Sequence, residues 1–409
     1  MAEYRALDDT TILDYLREQP SVMAVLGEGD LTAEEMGDGN LNQVFIVRAS
    51  GGGSLIVKQA LPYLRVAGDD WPLTRERMRF EIAALHFHNE IAPERVPTVH
   101  LADEDMSLVA MDFLAEHEVM RGPLLRGERF PLFSGHISEF LATLHFTTSD
   151  MALTGEDKKA LQRQFINPAL CKIQEDFVYT NPYMESEENE WHEGITDVVM
   201  GLRSDWEIKA AIAEIKDTYM TRAQAMLHGD MHTGSIMVTA DDTKCIDPEF
   251  AFFGPIGYDL GTLFANLAIN WAAQPAHGGD ASANQAEVAS IIRDVWNGYA
   301  ETFDRLWAAG NTGELVPEGY WAFDGGDAAF AEYRARYLRT ILQDSAGHAG
   351  CEMLRRLMGI VTVPDLETIE DGDARSEAER HVHAVARRWL VDRGSIEDVD
   401  QFVAILTGG

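Results

Sequence analysis

The sequence of 409 residues has few cysteines, few basic residues for its size and no long apolar run. Because no stretch of about 18 apolar residues occurs, it predicts no membrane-spanning helix. Residues 1–20 are acidic and lack the apolar core of a signal peptide, which favours a cytoplasmic protein. The cysteines are widely spaced and form no metal-binding pattern, so reduced and buried thiols are predicted at Cys171, Cys245 and Cys351.

Basic residues are outnumbered by acidic ones, 33 to 68, and the formal net charge is -35. This charge argues against nucleic acids and anionic membranes as partners, because both are themselves negative. An anionic substrate would need a locally basic pocket to overcome the repulsion. The charge fits a protein adapted to a salty cytoplasm, and it fits an ordinary acidic enzyme equally well.

The hydrophobic fraction of 46% is ample for a core, and the length predicts two or three structural units. In the N-terminal third, residues 10–26 and 73–90 have the apolar spacing of helices. Strand-like patterns cover residues 43–48, 54–59, 98–103 and 106–113. Helical patterns then dominate, over residues 133–149, 206–225, 257–272, 283–308, 327–345 and 374–393. The sequence therefore predicts an α+β fold. Its small N-terminal lobe, residues 1–114, carries an antiparallel sheet, and its larger lobe, residues 115–409, is mainly helical.

Residues 227–266 contain three acidic side chains that a predicted β-hairpin brings together. Two short apolar runs flank the polar turn at residues 241–242. Asp230 precedes the first run, and Asp247 and Glu249 follow the second. Three carboxylates in one place repel each other unless a cation lies among them, and Mg²⁺ prefers such oxygen ligands. The arrangement indicates phosphoryl transfer to a hydroxyl group.

Each carboxylate has a predicted role in that reaction. Asp230 is the candidate base, or at least the group that orients the attacking hydroxyl. Asp247 and Glu249 are candidate metal ligands, and Pro248 fixes the backbone between them so that both can converge on one ion.

Two further polar residues of the same stretch are predicted to be structural. His232 is close to Asp230 in sequence, but we expect it to hydrogen-bond within the loop. Asp259 follows a glycine-rich turn, and we expect it to tie the loop to the following helix through backbone N–H groups.

Lys58 ends the apolar run Leu55–Val57 and is a candidate for contacting the α and β phosphates of a nucleotide. Taken alone, a lysine at this position is usually a plain edge-strand lysine. A phosphate-binding lysine needs a carboxylate partner on the following helix. Glu76 and Glu81 both qualify, and we favour Glu81 because an apolar helical face follows it.

Two weaker signals accompany Lys58. Residues 37–42 (GDGNLN) are compatible with backbone contacts to phosphates, with Asn40 as an extra polar group near the nucleotide, but the composition is also that of a common turn. Asp112, Phe113 and Leu114 end the last strand of the small lobe. If this segment is the hinge, its backbone hydrogen-bonds the adenine edge; otherwise it is a plain strand end.

The C-terminal half contains a basic segment that is unusual in so acidic a chain. Arginine recognises phosphate or sugar oxygens through planar, bidentate hydrogen bonds. The alternative is a solvated helix face paired with surface acids. The arginines in question are Arg334, Arg336, Arg339, Arg355 and Arg356.

Five segments carry a family resemblance over nearly the whole chain. They are LHGDMHTGSIMV, IDPEFAFFGPIGYDLGTLFANL, SEFLATLHFTTSDMA, NPALCKIQEDFVYTNPY and GCEMLRRLMGIVTVPDLETIE. The sequence resembles the 5-methylthioribose kinase family within the aminoglycoside phosphotransferase and choline kinase-like superfamily. Ser235 is informative, because the superfamily carries HGDxxxxN whereas this family carries HGDxHTGS together with DPE. Aminoglycosides, choline and homoserine are therefore poor substrate candidates.

The resemblance implies a bilobal protein-kinase-like fold and transfer of the ATP γ-phosphoryl group to the C1 hydroxyl of S-methyl-5-thioribose, a step of methionine salvage. It also implies Mg²⁺ and a homodimer. The residues carried over are Asn40 and Lys58 for ATP, Asp112 to Leu114 for the hinge, Asp230 for the substrate hydroxyl, Asp247 and Glu249 for metal and phosphate, and Arg355 or Arg356, with Arg336 as a further candidate, for the sugar.

Two alternatives stay open at this point. The first is a kinase of the same fold that acts on another small hydroxyl compound, such as a different pentose. The second is a catalytically inactive kinase-like binding protein. The joint presence of Lys58, Asp230, Asp247 and Glu249 argues against the second.

Overall fold

The computed structural model describes residues 4–37, 41–64, 68–310, 313–317 and 319–408. The chain divides into two compact units. Unit 1 comprises Met1–His117, Asn167–Leu170 and Lys244–Ala251, and unit 2 comprises the remaining residues. The lobe boundary that the sequence places at residue 114 stays a prediction. The segment that contains Asp247 and Glu249 is part of unit 1, although it lies far along the chain.

Unit 1 is built on a five-stranded antiparallel sheet. Its elements are α1 (Thr11–Arg17), α2 (Pro20–Leu26), β1 (Leu31–Met36), β2 (Asn42–Ala49), β3 (Ser54–Ala60), β4 (Tyr63–Leu64), β5 (Gly68–Pro72), α3 (Arg77–Ile91), β6 (Val99–Asp103) and β7 (Leu108–Asp112). The strand order is β1-β2-β3-β7-β6. Together with the helical remainder of the chain, this sheet confirms the predicted α+β fold.

The single helix predicted over residues 10–26 is wrong. Two short helices occupy the segment, because α1 ends at Arg17 and α2 begins with Pro20. Proline lacks a backbone N–H and cannot continue a helix, but its fixed φ suits the first helical position. The local sequence therefore contained the signal for the break.

The two faces of the sheet pack against different helices. Leu55 and Val57 of β3 are fully buried in a cluster with apolar residues of α1 and α2. Ile56 packs on the opposite side, in a cluster with Ile82 and Leu85 of α3. Because successive side chains of a strand point to opposite faces, Lys58 shares the face of Ile56 and is directed toward α3. Burial of each such large apolar side chain contributes roughly 1.5–3 kcal/mol.

Unit 2 and the remaining segments are mostly helical. The elements are β8 (Glu118–Val119), α4 (Arg121–Leu125), α5 (Phe133–Thr147), α6 (Gly155–Gln164), α7 (Pro168–Phe177), α8 (Thr196–Ser204), α9 (Trp206–Thr221), β9 (Ala225–Leu227), β10 (Ile236–Val238), β11 (Thr243–Cys245), β12 (Phe252–Gly254), α10 (Gly257–His277), α11 (Ala281–Ala309), α12 (Gly326–Met358), α13 (Pro364–Glu367), α14 (Gly372–Val391) and α15 (Val399–Thr407). Among the described residues, no helix has the length and apolar character needed to cross a membrane.

Helix α10 is buried along most of its length and packs closely on α12. A Cβ added at Gly257 would lie 2.8 Å from the backbone N of Ser345, and one added at Gly261 would lie 2.7 Å from the Ser345 carbonyl oxygen. Glycine is therefore required at both positions for the two backbones to approach. This packing fixes Asp259 on α10 relative to the C-terminal part of α12.

His348 on α12 lies in this interface and is 1% exposed. Its Nδ1 is 2.8 Å from the Tyr179 hydroxyl, and its buried Nε2 has no hydrogen-bond partner among the described residues. Burial, followed by the positive charges of Arg222 and Arg393, lowers the pKa of His348 to about 3. The folded protein therefore keeps this histidine neutral, whereas the unfolded chain protonates it below about pH 6.5.

We expect the His348→Gln variant to lose less stability than the wild type on acidification. The contribution of neutral His348 is fully present above about pH 6.5 and is lost as pH falls toward the folded-state value. Over that window the wild-type free energy of unfolding should fall more steeply, by up to about 1.4 kcal/mol per pH unit. Urea unfolding of both proteins at several values between pH 7 and pH 4.5 measures the two slopes. Parallel slopes would contradict the assignment.

Candidate active site

Lys58 and Glu81 form a buried ion pair within unit 1. The Lys58 Nζ donates to Glu81 Oε1 at 2.6 Å, and the two side chains are 8% and 0% exposed. The alternative partner Glu76 precedes α3 at its N-cap and pairs with Arg79 on the surface at 2.9 Å. The structure thus brings together the pair that the sequence favoured, because strand and helix periodicity direct both side chains to the same interface.

Lys58 also contacts the second acidic segment. Its Nζ donates to Asp247 Oδ1 at 2.5 Å. Burial by itself would lower the pKa of Lys58, but the carboxylates of Asp247 and Glu81, and then that of Glu249, raise it above its ordinary value. Lys58 is therefore a permanent cation, which is the state needed to contact a phosphate group.

A strained turn presents Asp247 and Glu249. Asp247 has φ 63° and ψ 50°, in the left-handed region that non-glycine residues rarely adopt. Pro248 then begins a short 3-10 helix, Pro248–Phe250, and is itself buried. This geometry leaves the Asp247 side chain 42% exposed and the Glu249 side chain 8% exposed. The two carboxylates thus differ in access, although only one residue separates them.

Asn42 and Arg77, which the sequence reasoning missed, hold Glu249 in place. The Asn42 side-chain N–H donates to Glu249 Oε2 at 2.9 Å, and Arg77 Nε donates to Asn42 Oδ1 at 3.0 Å. Arg77 is fully buried, and its other N–H groups donate to backbone carbonyl oxygens of Leu41, Leu61 and Thr74. Arg77 precedes Glu81 by four residues and so lies on the same helical face, which was the available signal.

The charges of this cluster fit a bound cation. The carboxylates of Glu81, Asp247 and Glu249 lie together, and the cations that act on Glu249 are Lys58 and Arg77. Burial, followed by the Glu81 carboxylate, raises the pKa of Glu249 to about 8, and the buried Glu81 Oε2 accepts no hydrogen bond from the part of the chain that the structure describes. In the described part of the chain, no three or more His, Cys, Asp or Glu side chains already surround a common metal position. One or two carboxylates are nevertheless the usual protein share of a Mg²⁺ site, because nucleotide phosphates and water complete it.

The remaining nucleotide candidates have structural partners of their own. Asp112 accepts a hydrogen bond from the Thr98 N–H at 2.9 Å and lies 2.6 Å from His100 Nε2, so its side chain ties β7 to β6. Arg48 lies over the Phe113 ring at 5.3 Å, and the Leu114 carbonyl accepts the His117 N–H. The hinge role of residues 112–114 stays a prediction. Asn40 lies outside the described residues.

Asp259 holds the loop that carries Asp230, as expected, by accepting hydrogen bonds from the loop backbone. The two Asp259 carboxylate oxygens accept the backbone N–H groups of His228 at 2.8 Å and Gly229 at 2.9 Å. Asp259 also lies 3.2 Å from His145 Nε2, and all of these groups are buried within unit 2. Gly229 has φ 85°, a value that favours glycine.

His232 hydrogen-bonds within the loop, as expected, and it also faces Asp230. Its Nε2 lies 3.4 Å from Asp230 Oδ2, and its Nδ1 accepts the Gly234 N–H at 2.9 Å. Because Nδ1 is an acceptor, Nε2 carries the proton and points it at the carboxylate. Burial alone would raise the pKa of Asp230, but His232, followed by Arg355 and Arg356, lowers it below its ordinary value. Asp230 is therefore a carboxylate at neutral pH.

Arg355 and Arg356 differ from the other candidate arginines in sharing one buried carboxylate partner. Both bind the buried Glu352, at 2.6 Å and 2.8 Å from their Nε atoms. Burial by itself would raise the pKa of Glu352, but the two guanidinium groups lower it to about 2. The twin arginines thus form one fixed cationic group with an electrostatic effect on Asp230.

The other three arginines of the basic segment pair with surface acids. Arg336 is 61% exposed and lies 3.6 Å from Glu332, four residues earlier on α12. The remaining partners are Asp304 for Arg334 and Glu397 for Arg339. The solvated-face alternative therefore describes Arg336 and Arg339, whereas the Arg334 side chain is 12% exposed and lies over the Phe330 ring.

The antiparallel sheet with its Lys58–Glu81 pair and the loop that presents Asp230 define a phosphotransferase. The family model of the phosphotransferase enzyme family (APH) matches residues 32–295. A choline kinase from Cryptosporidium parvum is among the solved structures that resemble the chain, with a TM-score of 0.49, 11% identity and coverage of 97% of this chain and 99% of that one.

Similarity to curated proteins shows which family of phosphotransferases the chain resembles. Methylthioribose kinase 1 of Oryza sativa subsp. japonica is 38% identical over 98% of this chain and 94% of its own length. Methylthioribose kinases of Citrobacter koseri and Geobacillus kaustophilus are 36% and 39% identical, and the matches cover 99% and 91% of this chain and 98% and 90% of their own lengths. The chain belongs to the methylthioribose kinase family of phosphotransferases.

Proposed function

We propose that the protein transfers the γ-phosphoryl group of ATP to the C1 hydroxyl of S-methyl-5-thioribose, giving S-methyl-5-thioribose 1-phosphate and ADP, as a step of methionine salvage. The observation that carries the proposal is Asp230, a carboxylate held ionised beside His232 and within the field of two buried arginines. Near full-length relatives that are methylthioribose kinases supply the identity of the acceptor.

Unit 1 is the proposed nucleotide-binding unit. Lys58, held by Glu81, contacts the phosphates of ATP, and Asp247 and Glu249 hold Mg²⁺, with Asn42 orienting Glu249. When bound, the ion neutralises charge that develops on the transferred phosphoryl group. The Asp247 carboxylate is exposed and so is accessible to such an ion, whereas the Glu249 carboxylate is more deeply buried.

Unit 2 is the proposed acceptor-binding unit. Asp230 accepts the proton of the C1 hydroxyl as the oxygen forms its bond to the γ-phosphorus, and the bond from phosphorus to the β–γ bridging oxygen breaks. A carboxylate with a lowered pKa is a weak base, so its main contribution is orientation of the hydroxyl, with proton transfer late in the reaction. Arg355 and Arg356 are the proposed sugar-binding residues, in preference to Arg336 with its exposed partner.

Two further properties belong to the proposal. The enzyme acts in the cytoplasm as a homodimer. ATP is the phosphoryl donor and the sugar the acceptor; nucleic acids are not partners, which the net charge of -35 supports.

We expect ATP-dependent turnover of methylthioribose with a kcat/KM at least about tenfold above that for ribose. A difference of that size corresponds to about 1.4 kcal/mol, which burial of the methylthio group readily supplies. Coupled detection of ADP with each sugar at equal concentration measures the ratio. Preference for ribose would favour the alternative of a kinase for another hydroxyl compound, and nucleotide binding without turnover of any sugar would favour an inactive binding protein.

A further inference from the structure

Arg121, which has no role in the reaction proposed above, holds the second half of the loop that carries Asp230. Arg121 begins α4, directly after the short strand β8, and β8 pairs antiparallel with β10. This pairing places Arg121 opposite the end of the loop. The Arg121 backbone N–H donates to the Thr233 carbonyl at 3.2 Å, and its side-chain Nε donates to the Thr233 hydroxyl at 3.2 Å.

The Arg121 guanidinium is itself fixed by buried partners of unit 2. Its Nη2 donates to Asn266 Oδ1 on α10 at 2.9 Å, and its Nε lies 3.6 Å from Asp365 Oδ2. Asp365 is 4% exposed and accepts a hydrogen bond from the Asn270 side chain at 2.9 Å. Arg121 therefore connects the loop to α10 and to the start of α13 through a planar group with a defined orientation.

Close packing extends this connection from Thr233 to His232. A Cβ added at Gly234 would lie 2.7 Å from His232 Cε1 and 3.4 Å from Arg121 Nη1. Both side chains therefore lie beside the same glycine, and a larger residue there would displace His232. His232 in turn directs its Nε2 at Asp230. A continuous path of contacts leads from Arg121 through Thr233 and Gly234 to the carboxylate.

We propose that Arg121 is a positioning residue for phosphoryl transfer: it fixes residues 232–234 and thereby the orientation of His232 and Asp230. The inference rests on the proposed function and adds a residue outside the HGD and DPE motifs. Arg121 acts through Thr233, so its contribution belongs to the turnover step and not to sugar affinity. A misplacement of about 1 Å in a reacting group can lower a rate by about two orders of magnitude.

The test is a double-mutant cycle in kcat. We expect Arg121→Gln to lower kcat by about 10- to 100-fold with the KM for methylthioribose changed less than about threefold. Arg121→Lys should recover only part of the loss, because an ammonium group cannot reproduce the fork of hydrogen bonds to Thr233 and Asn266. Thr233→Val should also lower kcat, and the double variant Arg121→Gln/Thr233→Val should lose no more than Arg121→Gln alone.

Arg126→Gln is the matched control, because Arg126 lies next to the same short helix but is 55% exposed and pairs with Glu118 and Glu128. We expect its kcat to equal that of the wild type. Losses in kcat that multiply in the double variant, or a raised KM with unchanged kcat, would overturn the proposal.

Hydrogen exchange provides a readout that does not depend on the substrate. Amides of residues 228–235 should exchange faster in Arg121→Gln than in the wild type, while amides of α14 exchange at the same rate. Unchanged exchange in the loop would also overturn the inference. If the wild type turned over ribose and not methylthioribose, the proposed function would fail, and the same cycle and exchange measurements with ribose would still decide the role of Arg121.

Discussion

Replacement of Asp230 by alanine is expected to lower kcat by roughly 10³-fold or more while leaving the Kd for ATP within about twofold. General-base and orienting groups contribute about 10²- to 10⁴-fold in rate. Here the group is a single carboxylate held in one ionisation state and one orientation by His232, Asp259 and the loop backbone. The structure offers no second carboxylate on the described part of this loop to replace it.

The two effects should separate, because the two proposed functions belong to different units. The proposed ATP contacts, Lys58 and Asp247, belong to unit 1, and Asp230 belongs to unit 2. Isothermal titration with ATP and steady-state turnover with methylthioribose measure the two quantities on the same preparation. Asp230→Asn, which keeps the shape and removes the charge, should resemble Asp230→Ala.

Asp241→Asn is the control for this experiment, because Asp241 is an exposed carboxylate in the turn of the same stretch. Its kcat should match that of the wild type. A near-normal kcat for Asp230→Ala would refute the assigned role. A large rise in the Kd for ATP would show that Asp230 acts on nucleotide binding and not on the acceptor.

Replacement of Glu352 by glutamine is expected to lower the free energy of unfolding by about 3–5 kcal/mol. Glu352 is 2% exposed and is the carboxylate shared by Arg355 and Arg356. Burial, followed by Arg355, lowers the pKa of Arg356 to about 10, so the neighbouring guanidinium groups are unfavourable to each other. Without the Glu352 charge, two adjacent buried cations remain uncompensated, and this is the costly way to break a buried ion pair.

The same helix offers a matched control. Glu332 pairs with Arg336 at the spacing that Glu352 has to Arg356, but the two side chains are 66% and 61% exposed. Exposed pairs of this kind contribute about 0.3–0.5 kcal/mol, so Glu332→Gln should be nearly neutral. Urea unfolding of both variants measures the difference.

The Glu352→Gln variant also bears on sugar binding. Since Glu352 orients both arginines that we propose for the sugar, the KM for methylthioribose should rise in the same variant. Equal stability losses in Glu352→Gln and Glu332→Gln would contradict the buried-pair account. An unchanged KM would instead argue that the twin arginines are purely structural.

Local periodicity was enough to predict part of the site. The glycine turn at Gly51–Gly53 and the alternation around it predict β2 and β3, and they direct Lys58 to one face of the sheet. Helical spacing directs Glu81 to the opposing face of α3. Both periods are local properties of the chain, so they favoured Glu81 as the partner of Lys58 but left Glu76 open, and the packing of α3 on the sheet decided between them. Pro20 is an equally local signal, and it explains why residues 10–26 form two helices and not one.

The remaining site residues depend on contacts between distant parts of the sequence. Asn42 and Glu249 are 207 residues apart, and Arg121 and Asn266 are 145 apart. No local period relates such positions. The same limit applied to the five arginines of the basic segment. They are one residue type within one stretch of the chain, and they differ only in the side chains that pack around them.

Composition, periodicity and short motifs are properties of neighbouring residues, so they were sufficient to predict the α+β class, the acidic character and the chemical groups needed for phosphoryl transfer. Which of those groups are buried, paired and oriented depends on the packing of distant segments in the folded protein. That packing placed Glu352 between two arginines, Arg77 behind Asn42 and Arg121 against Thr233. Burial and hydrogen-bond geometry arise when distant segments pack together, so they set the pKa of Asp230 and the roles of these supporting residues.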